Sequence, residues 1–372
     1  MFRRVFLLNG LAIVAVVFNH ATIWGMTAMF WWADRYRPVT VPNFDLDATL
    51  PYYALLLLRK LAVFGVPAFL FFSGFFLNYA ASGKSSGLSW KTVRVRVQAL
   101  LIPYAIWFTV WLVREFLADQ VYTPGQVATR LFLGWPVGAY WYIPIITAFY
   151  LLSPFLVRLA RARPYQLLLG AAVLHLIEMG FSYSKLGWEL LNAGATGVVP
   201  TVYAGFPLHA HLILYFVFGL VVGVCRQDFE RLLKGRAWYL LLAVLVLGAL
   251  AVIESEVVYR ATSLDWRSST GTLPTSLYAL AVILFFLAVQ DIPKGMVKVG
   301  HNLATRMFGI YLVHSIILEV AARATQKYVP GLLAYVVPFQ FVIVSLAVVG
   351  SILVMEAVAR SPLRKYSKYL FG

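Results

Sequence analysis

The amino-acid sequence predicts an all-α polytopic membrane protein, a bundle of about ten transmembrane helices with both termini cytoplasmic. Three observations carry that expectation. Of 372 residues, 61% are hydrophobic and only 12% charged, and the mean hydropathy is +0.80. Soluble domains run at about 45–50% apolar and about 25% charged. Apolar stretches recur at 5–29, 52–80 (most apolar at 61–80), 98–117, 138–157, 165–181, 208–225, 237–258, 273–290, 303–321 and 333–357. Each is near the ~20 residues a helix needs to cross hydrocarbon; the fifth is short and is expected to be tilted or irregular. Basic residues then alternate with the crossings. Nineteen fall on one side, in clusters such as Arg3–Arg4, Lys91–Arg94–Arg96, Arg158–Arg161–Arg163, Arg226–Arg231–Lys234–Arg236 and Arg360–Arg364–Lys365–Lys368. Eleven fall on the other side or the segments bordering it, Arg306 sits at a boundary, and the richer side reads as cytoplasmic.

The same distribution disposes of one functional class. A net charge of +16 suggests nucleic acid, but the charges lie in short runs between apolar segments rather than on one basic face. No nucleic acid partner is expected; the partner surface is the lipid bilayer. The single cysteine, Cys225, excludes an intrachain disulfide and a cysteine-rich metal site. Met1-Phe2-Arg3-Arg4 resembles the start of a signal peptide, yet the apolar run after it is too long for one and no small-x-small cleavage site follows. A retained first span is expected, within a single integral-membrane domain over 1–372 at the cell inner (plasma) membrane.

The first span carries the chemistry. His20 lies near its middle, and an ionisable group inside hydrocarbon is costly and usually retained for a task. Asn9 precedes it by eleven residues, which is about 20° past three turns, so both share one face about 16 Å apart along the axis. The residues leave two readings open: a proton-transfer group, or a buried histidine bonded to a neighbouring helix. His175 and Glu178, three apart in the fifth stretch, read either as a polar pair on one face or as an interfacial carboxylate.

On the outer side the chemistry changes. The loop 30–51 holds Trp31, Trp32, Asp34, Tyr36, Asp45 and Asp47, and 182–207 holds Tyr183, Trp188, Glu189, Asn192 and Tyr203. Trp135, Trp141, Asp265 and Trp266 add to these. Aromatics with scattered carboxylates and amides suit a carbohydrate; the alternative is the aromatic belt of any polytopic protein. Other motifs fail. Gly83-Lys84-Ser85 lacks the first glycine of a phosphate loop, because Asn78 stands there. His209 and His211 point to different helix faces, and no metal is expected. There is no Gly-x-Ser-x-Gly elbow.

Several stretches, in order, resemble the membrane-bound acyltransferase 3 family, the bacterial O-acyltransferases. They are LNGLAIVAVVFNH (8–20), FGVPAFLFFSGFFL (64–77), LLIPYAIWF (100–108) with Arg94 and Arg96 upstream of Pro103, WYIPIITAFYLLSP (141–154), LYFVFGLVVG (214–223) and IYLVHSIIL (310–318). The resemblance implies transfer of an acyl group, most often acetyl, from acetyl-CoA or another acyl-CoA to a hydroxyl of a cell-surface carbohydrate or lipid-linked sugar. No bound cofactor is implied beyond that donor. The family usually has Arg eleven residues before the histidine; this chain has Asn9, which carries no fixed charge.

On that resemblance, His20 is the expected catalytic base, and Asn9, Arg94, Arg96, Arg158, Ser73, Trp141, Tyr311 and His314 are expected to bind substrate. The cytoplasmic arginines suit the nucleotide phosphates, or serve only to set topology. Ser73 lines the passage or packs helices beside Gly74. Two other classes compete. A transporter or flippase of a lipid-linked sugar would use the ionisable groups for protons, but no internal repeat supports inverted halves. A sensor without chemistry would leave the three intramembrane histidines without a purpose.

Overall fold

The computed structural model describes residues 1–80, 87–117, 119–133, 139–191, 210–262 and 271–372. Gly83-Lys84-Ser85, Trp135, Asn192, Tyr203, His209, Asp265 and Trp266 lie outside the described residues, as does the side chain of Glu189. The described residues are helical with no strand. Eight helical stretches are long and apolar enough to cross a membrane: Phe2–Phe30, Leu50–Ala80, Trp90–Leu117, Tyr142–Ala162, Pro164–Trp188, Ala237–Ala261, Lys294–Tyr328 and Val336–Arg360. Two shorter apolar helices, Ile213–Val224 and Leu273–Ala288, fall at the sixth and eighth expected crossings.

In chain order the helices are α1 (Phe2–Phe30), α2 (Leu50–Ala62), α3 (Gly65–Ala80), α4 (Trp90–Leu117), α5 (Pro124–Leu133), α6 (Tyr142–Ala162), α7 (Pro164–Leu191), α8 (Ile213–Val224), α9 (Arg226–Leu233), α10 (Ala237–Thr262), α11 (Leu273–Ala288), α12 (Lys294–Tyr328), α13 (Val336–Arg360) and α14 (Ser367–Phe371). Local chemistry sets several boundaries. The second apolar run splits at 63–64 because Pro67 has no N–H to donate and sits in the first turn of α3. Thr123 and Gln126 cap α5 reciprocally, backbone N–H to side chain at 2.9 and 3.3 Å, with Pro124 opening the helix. The fifth span is longer than expected. Neither Ser182 nor Lys185 breaks it, and α7 continues to Leu191. Likewise α12 starts nine residues before the expected 303, since its polar N-terminal stretch contains no proline.

The chain divides into two compact units. The first comprises Met1–Ala12, Val63–Arg96 and Ile145–His301. Its tightest seam is α3 on α8. A Cβ on Gly74 would overlap the Phe216 carbonyl oxygen, and one on Gly219 would overlap that of Phe71. Glycine at both positions lets the backbones touch, the usual basis of helix association in lipid. Asn78 Nδ2 donates to Gly223 O at 3.0 Å at the end of the seam. A second close approach joins α1 to α12, where Gly10 meets the Gly300 carbonyl. We expect Gly219→Ala to cost about 1–3 kcal/mol, because backbone cannot move aside as a flexible side chain would. Thermal unfolding of the purified variant measures it, and an unchanged midpoint would rule out a rigid seam.

The second unit comprises Ile13–Ala62, Val97–Pro144 and Asn302–Gly372. Here Gly25 of α1 lies against Leu55 of α2 and Gln340 of α13; a Cβ would stand 2.9 Å from Gln340 Oε1 and 3.0 Å from Leu55 Cδ1. Gln340 is fully buried and its Nε2 donates to Phe18 O at 3.2 Å. Two sets of ion pairs hold α12. Arg306 reaches Glu356 of α13 at 3.0 Å, and Glu319 is shared by Arg114 of α4 and Arg323, the latter at 2.8 Å.

Candidate active site

His20 and His314 come together inside the second unit. Their ring centroids are 5.3 Å apart at 46°. His20 sits two-thirds along α1 and His314 in the interior of α12, so each is placed by a helix whose backbone bonds are internally satisfied. The two rings differ in setting. His314 is fully buried, whereas His20 keeps part of its surface open.

The hydrogen bonds fix the roles of the His314 nitrogens. Its Nδ1 lies 2.7 Å from Tyr311 O and 3.1 Å from Ile310 O. A carbonyl only accepts, so Nδ1 carries the proton and donates. Nε2 of the neutral ring is then the acceptor, and the Ser315 hydroxyl stands 3.3 Å from it. Among the described residues no hydrogen bond engages a ring nitrogen of His20, which leaves both for a substrate.

Tyr311, one turn below His314, is fixed by reciprocal bonds. Its hydroxyl donates to Ala139 O, and the Tyr140 hydroxyl donates to Leu312 O at 2.6 Å. Tyr142 packs edge-on against Tyr311 at 5.7 Å. This clasp holds the segment 139–142, and with it Trp141, on α12. Thus four of the residues singled out by sequence, His20, Trp141, Tyr311 and His314, lie in the second unit.

The other five lie in the first unit. Asn9 is fully buried, and neither its amide oxygen nor its amide nitrogen has a hydrogen-bond partner. Burying such a group unsatisfied costs about 1–3 kcal/mol. Ser73 is buried beside the Gly74–Phe216 contact, consistent with packing. Arg94 and Arg158 are exposed, while Arg96 is half-buried with its guanidinium 5.6 Å from the centre of the Tyr150 ring.

Sequence reasoning passed over three polar groups of the second unit. Arg59 and Lys60, counted among the basic residues of the outer side and the segments bordering it, are buried on α2. Gln340 is the third. The signal for the cations was present: two adjacent charges within the apolar run 52–80. Nothing in the sequence marks Gln340 beyond a single amide in an apolar stretch.

The pair His175 and Glu178 resolves differently from either sequence reading. Glu178 Oε1 lies 3.2 Å from His211 Nδ1, and His175 Nδ1 donates to His211 O at 3.0 Å. The two residues are joined through α8's leading turn rather than to each other. Among the described residues no group of three His, Cys, Asp or Glu side chains is arranged to hold a metal ion.

No curated protein and no solved structure matches the chain. A family model described as an acyltransferase domain matches residues 7–356, nearly the whole length and including all nine residues singled out for the site. With eight helices long and apolar enough to cross a membrane and a family match over nearly its whole length, the chain belongs to the acyltransferase 3 family, and acyl transfer in a membrane is the reaction that membership supports.

Proposed function

We propose that this protein transfers an acyl group, most simply acetyl, from acyl-CoA on the cytoplasmic side to a hydroxyl of a cell-surface carbohydrate or lipid-linked sugar presented from the outer side of the inner membrane. His20 is the general base. The observation that carries this is the partly open His20 ring seated against the sealed, Nδ1-anchored His314. A base must reach a substrate proton, and a fixed neighbour keeps it aimed.

In this scheme Asn9 meets the donor's thiol arm and His20 serves the reacting hydroxyl, both residues being carried by α1. The arm carries two amides, and Asn9 offers one donor and one acceptor group without a protein partner. Arg96, with Arg94 and Arg158 nearer solvent, supplies charge for the nucleotide phosphates. His20 takes the acceptor hydroxyl's proton as its oxygen attacks the thioester carbonyl, then returns it to the departing thiolate.

The test is release of free CoA thiol by the purified protein supplied with acetyl-CoA. Wild type should release thiol, faster with a sugar acceptor, and a protein that leaves acetyl-CoA intact under both conditions would sink the reading. Asn9 gives a second, sharper check. Asn9→Leu removes an unsatisfied buried amide at similar volume, so it should raise stability by about 1 kcal/mol or more. Donor affinity should at the same time fall about 3–10-fold. Lower stability with unchanged donor affinity would make Asn9 a structural residue.

A further inference from the structure

Within the first unit, the seam of α1 on α12 is closed at one level and open at the next. Arg3, Leu7 and Gly10 follow one face of α1. Leu7 and Gly10 both meet Gly300: a Cβ on Gly10 would overlap the Gly300 carbonyl oxygen, and one on Gly300 would stand 2.8 Å from Leu7 Cα. Arg3 lies four residues before Leu7 on α1, and Val297 three before Gly300 on α12. About one turn below the closed contact the two helices leave a cavity of about 360 Å³, lined by Phe2, Arg3, Arg4, Gln290, Ile292 and Val297.

The two arginines of this cavity differ in commitment. Arg4 Nη1 donates to Leu287 O at 2.8 Å. Leu287 sits in the last turn of α11, where carbonyls lack an intrahelical partner, so Arg4 caps α11 and ties it to α1. A guanidinium has five N–H donors, and this bond uses one. Arg3 is exposed and has no hydrogen bond or ion pair among the described residues. No carboxylate is among the lining residues; Asp291, next to Gln290, is exposed and stands outside the wall.

Two guanidinium forks and a neutral amide, with an apolar wall of Phe2, Ile292 and Val297, suit a phosphate ester that carries an apolar body. The level of the cavity names the source. The apolar run of α1 begins at Val5 and that of α11 ends at Val289, so the cavity lies where hydrocarbon gives way to headgroups, on the side that the Lys/Arg distribution reads as cytoplasmic. We propose that this cavity binds the phosphate headgroup of an anionic phospholipid from the cytoplasmic leaflet. Basic pockets between membrane helices on that side are suited to such headgroups. The bound phosphate bridges the opening of α1 to the turn between α11 and α12, beside the Arg4–Leu287 tie. Such a site is independent of the acyl-transfer reading.

Native mass spectrometry of the full chain in detergent, titrated with phosphatidylglycerol or phosphatidylcholine, counts the bound lipids. Wild type should hold one phosphatidylglycerol under conditions that strip phosphatidylcholine, and its thermal midpoint should rise with added phosphatidylglycerol. Two substitutions separate charge from shape. Arg3→Gln removes the unpaired cation and should weaken phosphatidylglycerol about fivefold, the worth of one basic side chain at such a surface. Val297→Phe keeps every charge but fills part of the cavity, and should weaken it by a comparable factor; should that variant fail to fold, Ile292→Phe makes the same test from the turn between α11 and α12. Lys234→Gln, an exposed cation of the same unit outside the cavity, should bind as wild type does. Equal retention of the two lipids by wild type overturns the proposal. So does unchanged binding in the cavity-filling variant, or a loss in Lys234→Gln equal to that in Arg3→Gln, since diffuse surface charge would then hold the lipid. Acetyl-CoA is the competing source of phosphate. If Arg3→Gln and Val297→Phe weaken acetyl-CoA and leave phosphatidylglycerol bound, the cavity belongs to the donor's nucleotide and the lipid assignment falls.

Discussion

His20→Ala is expected to insert, fold and bind acyl-CoA while losing about 10²–10⁴-fold in acyl transfer, the range typical of a missing general base. The substitution removes a half-exposed ring and leaves α1 intact, including its contacts at Gly10 and Gly25. A structural histidine predicts the reverse pattern: lower stability and yield, with turnover per folded molecule nearly intact. The decisive quantity is therefore turnover normalised to folded protein, with donor affinity measured in parallel. Near wild-type turnover in a well-folded His20→Ala protein would remove this residue from the mechanism.

His314 should behave as a positioning residue, and its variants separate into two classes. His314→Ala leaves a cavity beside His20 and frees the Tyr311 and Ile310 carbonyls, so both stability and rate should fall. His314→Gln keeps a donor toward those carbonyls, and we expect it to retain most of the stability while losing about 10-fold or more in rate. Its donor affinity should stay near wild type, placing the loss in kcat. If His314→Gln instead matched wild type in rate, the imidazole pair would have no part in aiming the base.

How much of this was legible from sequence depends on the kind of signal. Crossings were read well because hydrophobic length is a one-dimensional property: α1, α10 and α13 lie within a few residues of the stretches 5–29, 237–258 and 333–357. Ends were read less well where a polar stretch stayed helical, as in α7 and the start of α12. His20 and His314 were found by their cost in hydrocarbon. Their adjacency was not, because 294 residues separate them and no periodicity reports a contact between distant helices. Arg59 and Lys60 were given no individual role for a related reason. Charge inside an apolar run was counted only toward topology, and its burial on the helix that precedes the break at 63–64 is visible only in the structure.

The ion pairs on α12 have a mechanical meaning. Arg306 lies eight residues before His314 and Glu319 five residues after it, and each is tied to another helix, Arg306 to α13 through Glu356 and Glu319 to α4 through Arg114. Sliding α12 by one turn, about 5.4 Å, would break both ties at once. Turning it about its axis would swing them out of reach together. The paired anchors set the axial register of the histidine, as two pins fix a rod where one would leave it free to pivot. Exposed pairs of this kind add little to stability. Their worth here lies in alignment, keeping one imidazole opposite another to within the fraction of an ångström that proton transfer tolerates.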